Sequence, residues 1–264
     1  MTRIYCPKEL IIGKQFVVNE RRQVHYLRDV LRLRVNDEII VFDGQGNEYY
    51  CQLDELSKRS ARLFIKEIIR VKPQHKPCLA VACALPKQKS RFDDLVDKLT
   101  QLGVDKIIPM ITERVIIRRG SNQKRQSHQR WCKIAEEACA QCGRSALPVI
   151  EPVKAISQVL VDSDSYDLKL IPTLTERMYP LHSTIGESAP DSFNQDVLNL
   201  KDSIPESFPK SILAMIGPEG DFTGQELEQA RKAGFIPVSL GKQVLRVDTA
   251  ALAVAAFLRL YEGH

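Results

Sequence analysis

The sequence predicts an α/β chain with a β-rich first part, residues 1–72, followed by a mostly parallel sheet with helices, residues 73–264. Two observations predict this. Apolar runs separated by turn residues dominate the first part, whereas strand-like and helix-like periods alternate after Pro73 and Pro77 in "VKPQHKPC". A third is "IGPEGDFTGQELEQA", where an apolar run ends in a glycine turn and a well-signalled helix start.

In the first part, "EIIVFDG", "EYYCQLDEL" and "SARLFIKEIIRV" read as strands around the turn-rich "DGQGN", consistent with a small barrel. "VHYLRDVLRLRVND" reads as a short helix whose spacing puts Arg28 and Arg32 on one face. Beyond the two prolines, "CLAVACAL" is a buried strand. Helix 91–102 stripes Phe92, Leu95, Val96, Leu99 and Leu102 along one side and stops at Gly103, and "VDKIIPM" is the next strand. A helix around Trp131, Ile134, Ala135 and Ala138 runs to Gly143, followed by strands near "PVI" and "DLKLI". Residues 183–210, rich in Ser, Asp, Asn and Pro, read as a surface insertion.

Residues 212–216 form a short apolar run suited to a strand buried on both faces. Thr223 and Glu226 have capping-box spacing, and Phe222 and Leu227 occupy the staple positions. A glycine turn at the carboxyl end of such a strand lies where open α/β sheets bind ligands. "FIPVSLG" and an Ala-rich helix from Asp248 to Tyr261 complete the alternation.

Charge is distributed unevenly. Residues 1–148 carry 28 basic and 17 acidic side chains, and residues 149–264 carry 10 and 16, so +11 precedes −6. Basic side chains gain affinity for phosphate backbones through counterion release, which makes the first half the candidate nucleic-acid surface. No signal-peptide pattern or membrane-length apolar stretch is present, so a cytoplasmic location is expected. Seven irregularly spaced cysteines suggest reduced thiols. Cys139 and Cys142 alone have CxxC spacing, with no second ligand pair, and no metal is expected.

The glycine turn together with "VSLGKQVLRVDTAALAVAAFL" resembles the SPOUT class of RNA methyltransferases, specifically the RsmE family, which methylates N3 of a uridine in 16S ribosomal RNA of the small subunit. Gly217, Pro218, Glu219, Gly220 and Phe222 match that family's first motif, and Leu240, Gly241, Leu245, Arg246, Thr249 and Ala250 match its second. "KLTQLGVDKIIPMITERV", "RWCKIAEEACAQCGRSALPVI" and "VHYLRDVLRLRVNDEIIVFDGQG" extend the likeness over most of the chain. Asp221 replaces a glycine, Lys242 and Gln243 replace Pro and Arg, and Val247 and Asp248 replace Thr and Glu. "LIPTLTER" is a loose match to the first cofactor loop, with its acidic residue, Glu176, later than usual.

The resemblance implies a SPOUT-type parallel sheet with a C-terminal trefoil knot and a small N-terminal PUA-like β-barrel, in a homodimer that binds S-adenosyl-L-methionine and ribosomal RNA. It places the cofactor against Thr173, Leu174, Ile216, Gly217, Pro218, Glu219, Gly220, Leu240, Gly241, Val244, Leu245 and Thr249, where a side chain added at Gly217 would fill the cofactor's space. Arg246 is expected to act catalytically as a cation, with Glu219 as a candidate proton acceptor. Arg3, Arg28, Arg32, Lys87, Lys89, Arg91, Gln141 and Arg144 are the candidate RNA contacts. Methylation of another RNA or of a ribose hydroxyl, and an inactive RNA-binding assembly factor, are alternatives that share these residues.

Overall fold

A computed structural model describes residues 2–70, 77–114, 121–173, 198–205 and 207–261. Pro73, Leu174, Glu176 and residues 183–197 of the expected insertion lie outside them. The chain forms two compact units, one of residues 1–74 with 135–147, the other of residues 75–134 with 148–264.

In the first unit, β1 (Thr2–Tyr5), β2 (Ile11–Ile12), β3 (Gln15–Val18), β4 (Glu38–Phe42), β5 (Asn47–Leu56) and β6 (Ala61–Arg70) form one sheet in the order β1-β4-β5-β6-β3-β2. Only β1 and β4 pair in parallel. Phe16, Val18, Ile39, Val41, Leu53 and Leu63 fill its core, each buried by the alternation of its strand. β1 to β3 have no counterpart among the strands expected from sequence, because their apolar runs are short and interrupted.

The arginine-bearing helix also differs from expectation. α1 (Arg21–His25) passes into a π turn over Tyr26–Val30, and Arg32 lies beyond it with a left-handed backbone, φ 53°. Leu33 N donates to Leu27 O across this ending. Arg28 and Arg32 therefore do not share a helical face.

The second unit is an eight-stranded, all-parallel sheet. It consists of β7 (Cys78–Ala84), β8 (Lys106–Ile111), β9 (Val149–Ile150), β10 (Lys154–Ala155), β11 (Leu168–Pro172), β12 (Leu198–Asn199), β13 (Ser211–Ile216) and β14 (Ile236–Ser239), in the order β10-β8-β7-β13-β11-β14-β12 with β9 also on β8. β12, inside the segment read as a surface loop, adds an exposed edge to β14. Its two residues carry no strand signal of their own.

Both faces of the sheet are covered. α2 (Lys89–Gln101) packs on α6 (Val247–Tyr261), and α6 packs on β7 and β13. On the other face α4 (Ile156–Asp162) packs against α5 (Gly224–Lys232) and β8. Ala80, Ala82 and Ala84 of β7 face this second cluster with Met110, Leu213, Met215, Phe222 and Leu227. The 22-residue α3 (Ser121–Cys142) supplies Trp131, which packs against Phe92 with the rings tilted at 52° and donates to Asp93 at 2.9 Å. Its end at Gly143, φ 82°, is where glycine relieves the left-handed exit. Arg259 of α6 donates to the carbonyls of Pro77 and Gly103 and meets Asp105 at 2.5 Å. These contacts tie the last helix to the entries of β7 and β8.

α5 starts at a complete capping box. Glu226 N donates to Thr223 Oγ1, and Thr223 N donates to Glu226 Oε2 at 2.9 Å. The same buried carboxylate accepts Glu113 N at 2.8 Å through Oε1, so it ties α5 to the exit of β8. We expect Glu226→Ala to cost about 1–3 kcal/mol, because it orphans backbone donors at a buried site. Thr223→Ala should cost about 1 kcal/mol. Urea unfolding checks both, and an unchanged midpoint for Glu226→Ala would show that the cap is not structural.

Candidate functional site

Parallel strands send their carboxyl ends to one edge, and there the loops after β11, β13 and β14 enclose an open cleft of about 550 Å³. Thr173, Ile216, Gly217, Pro218 and Glu219 line it from the first two loops. Leu240, Gly241, Val244 and Leu245 line it from the third. Gly220 and Thr249 do not. The Gly220 carbonyl is held by the Arg114 guanidinium. Thr249 is exposed because helical spacing turns Val247 and Ala250, not Thr249, toward the cleft. Pro172, Asp221, Gln243, Val247 and Ala250 complete the lining although they were not among the expected cofactor contacts. Four of them already stood out in the sequence, Asp221, Gln243 and Val247 as departures from the motifs and Ala250 as a match.

Gly217 lines the cleft and also packs closely on a neighbouring ring. A Cβ there would lie 2.7 Å from Cε2 of Phe222, a buried ring. The close approach of turn and ring is what excludes a side chain. Gly241 differs: φ is +110° and no atom lies within 4 Å of an added Cβ, so its backbone is open to the cleft.

Asp221 occupies the turn with φ 59°, a left-handed conformation that Asp tolerates better than most residues. Its N–H closes the turn on Pro218 O at 2.9 Å, and its Oδ1 accepts Phe222 N at 2.8 Å. Oδ2 accepts the Thr173 hydroxyl at 3.1 Å, joining the loops after β11 and β13. The substitution of a glycine thus keeps the required backbone and adds a carboxylate to the lining.

Arg246 precedes α6, is exposed, and makes no side-chain hydrogen bond or ion pair among the described residues. It lies outside the residues lining the cleft. Glu219 lines the cleft and pairs with Arg91, Nη1 to Oε1, at 3.0 Å. Aliphatic walls interrupted by Thr173, Glu219 and Asp221 fit a ligand with an apolar ring and charged or hydroxyl-bearing parts.

Of the other basic candidates, Lys87 and Lys89 are exposed in the second unit, as is Arg32 in the first. Arg28 is engaged by Asp29, whose carboxyl that hydrogen bond holds down at about 2, so the pair stays charged across physiological pH. Arg3 is largely enclosed. It donates to Glu48 at 3.0 Å, to Gly143 O and Ser145 at 3.2 Å, and lies over the Phe42 ring. Gln141 is exposed near that cluster, and Arg144 is half-buried and has an interaction of its own. Cys139 is pushed up to about 12 by burial, which keeps it a thiol. Among the described residues no group of His, Cys, Asp or Glu is arranged to hold a metal, and no helix is long and apolar enough to cross a membrane.

The RNA methyltransferase domain family matches residues 73–259, and the RNA methyltransferase PUA domain family matches residues 18–66. The chain is 30% identical over 263 residues to the ribosomal RNA small subunit methyltransferase E of Rickettsia conorii, covering 99% of this chain and 96% of that one. It is also 30% identical over 261 residues to the Synechocystis protein of the same name, covering 98% and 78%. Among solved structures, a ribosomal RNA small subunit methyltransferase E from Neisseria gonorrhoeae bound to S-adenosyl methionine has 30% identity and a TM-score of 0.80, covering 99% of this chain and 98% of that one.

Gly217→Ala should lower stability by about 1–3 kcal/mol through overpacking against Phe222. Phe222→Leu in the same chain should recover part of that loss. Wild-type unfolding midpoints for Gly217→Ala would show instead that the ring can move aside.

Proposed function

The chain belongs to the RNA methyltransferase family whose curated relatives are named ribosomal RNA small subunit methyltransferase E, and from that membership we propose that it transfers the methyl group of S-adenosylmethionine to N3 of a uridine in 16S ribosomal RNA. The observation that carries the reading is the cleft at the carboxyl edge of the sheet, bounded by both glycine-containing motifs. The reading includes a trefoil knot formed by the C-terminal loops, a homodimer, a cytoplasmic location and an RNA grip on the PUA-like part.

When bound, S-adenosylmethionine supplies an electrophilic methyl group at its sulfonium. The protein has to hold the ligand, align the methyl with N3 and manage the N3 proton. Backbone groups of Gly217, Leu240 and Leu245 hold the ligand, and Ile216, Val244 and Leu245 provide an apolar slot for the adenine. Arg246, uncommitted to other described side chains, supplies positive charge for the uridinate that forms as N3 is deprotonated. Glu219 is the proton acceptor at the cleft wall.

Nucleoside mass spectrometry of small-subunit RNA, with and without the protein, tests the function. Three-methyluridine must depend on it, and methylation of a ribose would overturn the base assignment. Arg246→Ala should reduce single-turnover rate about 100-fold while leaving S-adenosylmethionine affinity within about twofold, since charge is stabilised only in the transition state. Equal losses would make Arg246 a pocket-forming residue. Reversing Arg28 and Arg32 to Glu should weaken RNA binding and flatten the slope of log affinity on log salt by about one unit for each phosphate no longer neutralised. An unchanged slope would remove this region from the RNA grip.

A further inference from the structure

Thr173 is where the three loops around the cleft are tied to one another. It follows β11, the strand that lies between β13 and β14. Its backbone N–H donates to Val238 O at 3.2 Å, which continues the pairing of Pro172 with Val238 and fixes it against β14. Its hydroxyl donates to Asp221 Oδ2 at 3.1 Å, in the turn after β13. That second bond belongs to no strand ladder: it joins two side chains 48 residues apart, both of which line the cleft.

Asp221 is arranged to make this bond. A glycine would satisfy the left-handed backbone at φ 59° and offer Thr173 nothing. Aspartate accepts Phe222 N at 2.8 Å through Oδ1, which orients the carboxylate and leaves Oδ2 on the side of Thr173. The turn that carries it is itself held, by the Glu226 cap and by Arg91 and Arg114. A fixed turn thus grips the end of β11 through one side chain.

Building on the proposed binding of S-adenosylmethionine in this cleft, we infer that Asp221 is a positioning residue for the cofactor: through Thr173 it clasps the loop after β11 to the glycine turn, and the clasped cleft is the form that binds. Breaking the clasp lowers affinity in proportion to the fraction of molecules whose loops are still in place. The clasp acts on the protein and not on the charge of the ligand. It therefore weighs equally on S-adenosylmethionine and on S-adenosylhomocysteine, which has no sulfonium.

Calorimetric titration of the full-length chain with each of these two ligands tests the clasp without RNA. Asp221→Gly keeps the left-handed turn and removes the carboxylate, and Thr173→Val keeps the shape and removes the hydroxyl. Each should weaken both ligands about fivefold, the worth of one hydrogen bond, and the double variant should also lose about fivefold, not about 25-fold. Asp221→Asn and Thr173→Ser should stay within about twofold of wild type: the Asn amide can donate to the Thr173 hydroxyl while its oxygen accepts Phe222 N, and Ser keeps the hydroxyl. Losses that multiply in the double variant would mean that each side chain touches the ligand by itself, and would overturn the clasp. A loss in Asp221→Asn confined to S-adenosylmethionine would make Asp221 a charge partner of the sulfonium and overturn it too, as would wild-type affinity in Thr173→Val. A wild-type chain that binds neither ligand overturns the cofactor reading and the clasp together, whereas binding with any of those three results overturns the clasp alone.

Discussion

Glu226 is a buried carboxylate with backbone N–H groups at both of its oxygens, one from Thr223 and one from Glu113. That arrangement joins the first turn of α5 to the exit of β8, and the loop from Gly217 to Phe222 is strung between this anchor and the end of β13. Arg91 holds Glu219, Arg114 holds the Gly220 carbonyl, and Thr173 donates to Asp221. A loop that presents backbone groups to a ligand is useful only if those groups are already in place, because ordering them during binding would subtract from affinity. The cap removes that cost for this turn.

The parallel sheet makes the location of the cleft a consequence of topology. Every neighbouring strand pair in the second unit runs the same way, so the ends of β11, β13 and β14 arrive together without a dedicated scaffold. The alanines of β7 keep one face thin where α4 and α5 cover it, and the opposite face is closed by α2 and α6. Both the glycine turn and the start of α6 are consequently backed by buried apolar packing, including Phe222, Val247 and Ala251.

What the sequence made legible was whatever local periodicity or capping specifies. Helix 91–102 was readable from its apolar stripe and occurs as Lys89–Gln101. The Thr223–Glu226 cap, the strand from Ser211 to Ile216 and the final helix were equally readable. Tertiary pairing decided the rest. β1 exists because Thr2–Tyr5 can lie parallel to Ile39–Phe42, and β12 because two exposed residues meet β14. The helix at Arg28 ends early because its last turn widens and Arg32 turns left-handed, which no spacing rule anticipates. In the cleft, the motif glycines were evident, but the close packing of Gly217 on the Phe222 ring five residues later was not, and the bond from Asp221 to Thr173 spans two loops distant in sequence.

The first unit is not contiguous: residues 135–147, the end of α3 and the segment leading toward β9, belong with residues 1–74. Arg3 donates to Gly143 and Ser145, and Gly44 and Gln45 bridge to Ala146. The chain passes between the units three times. Such a unit cannot be exchanged as a cassette, since cutting after residue 74 would leave Arg3 facing Glu48 with half of its partners gone. Replacing this unit as a whole therefore requires recombination at two separated stretches of the chain.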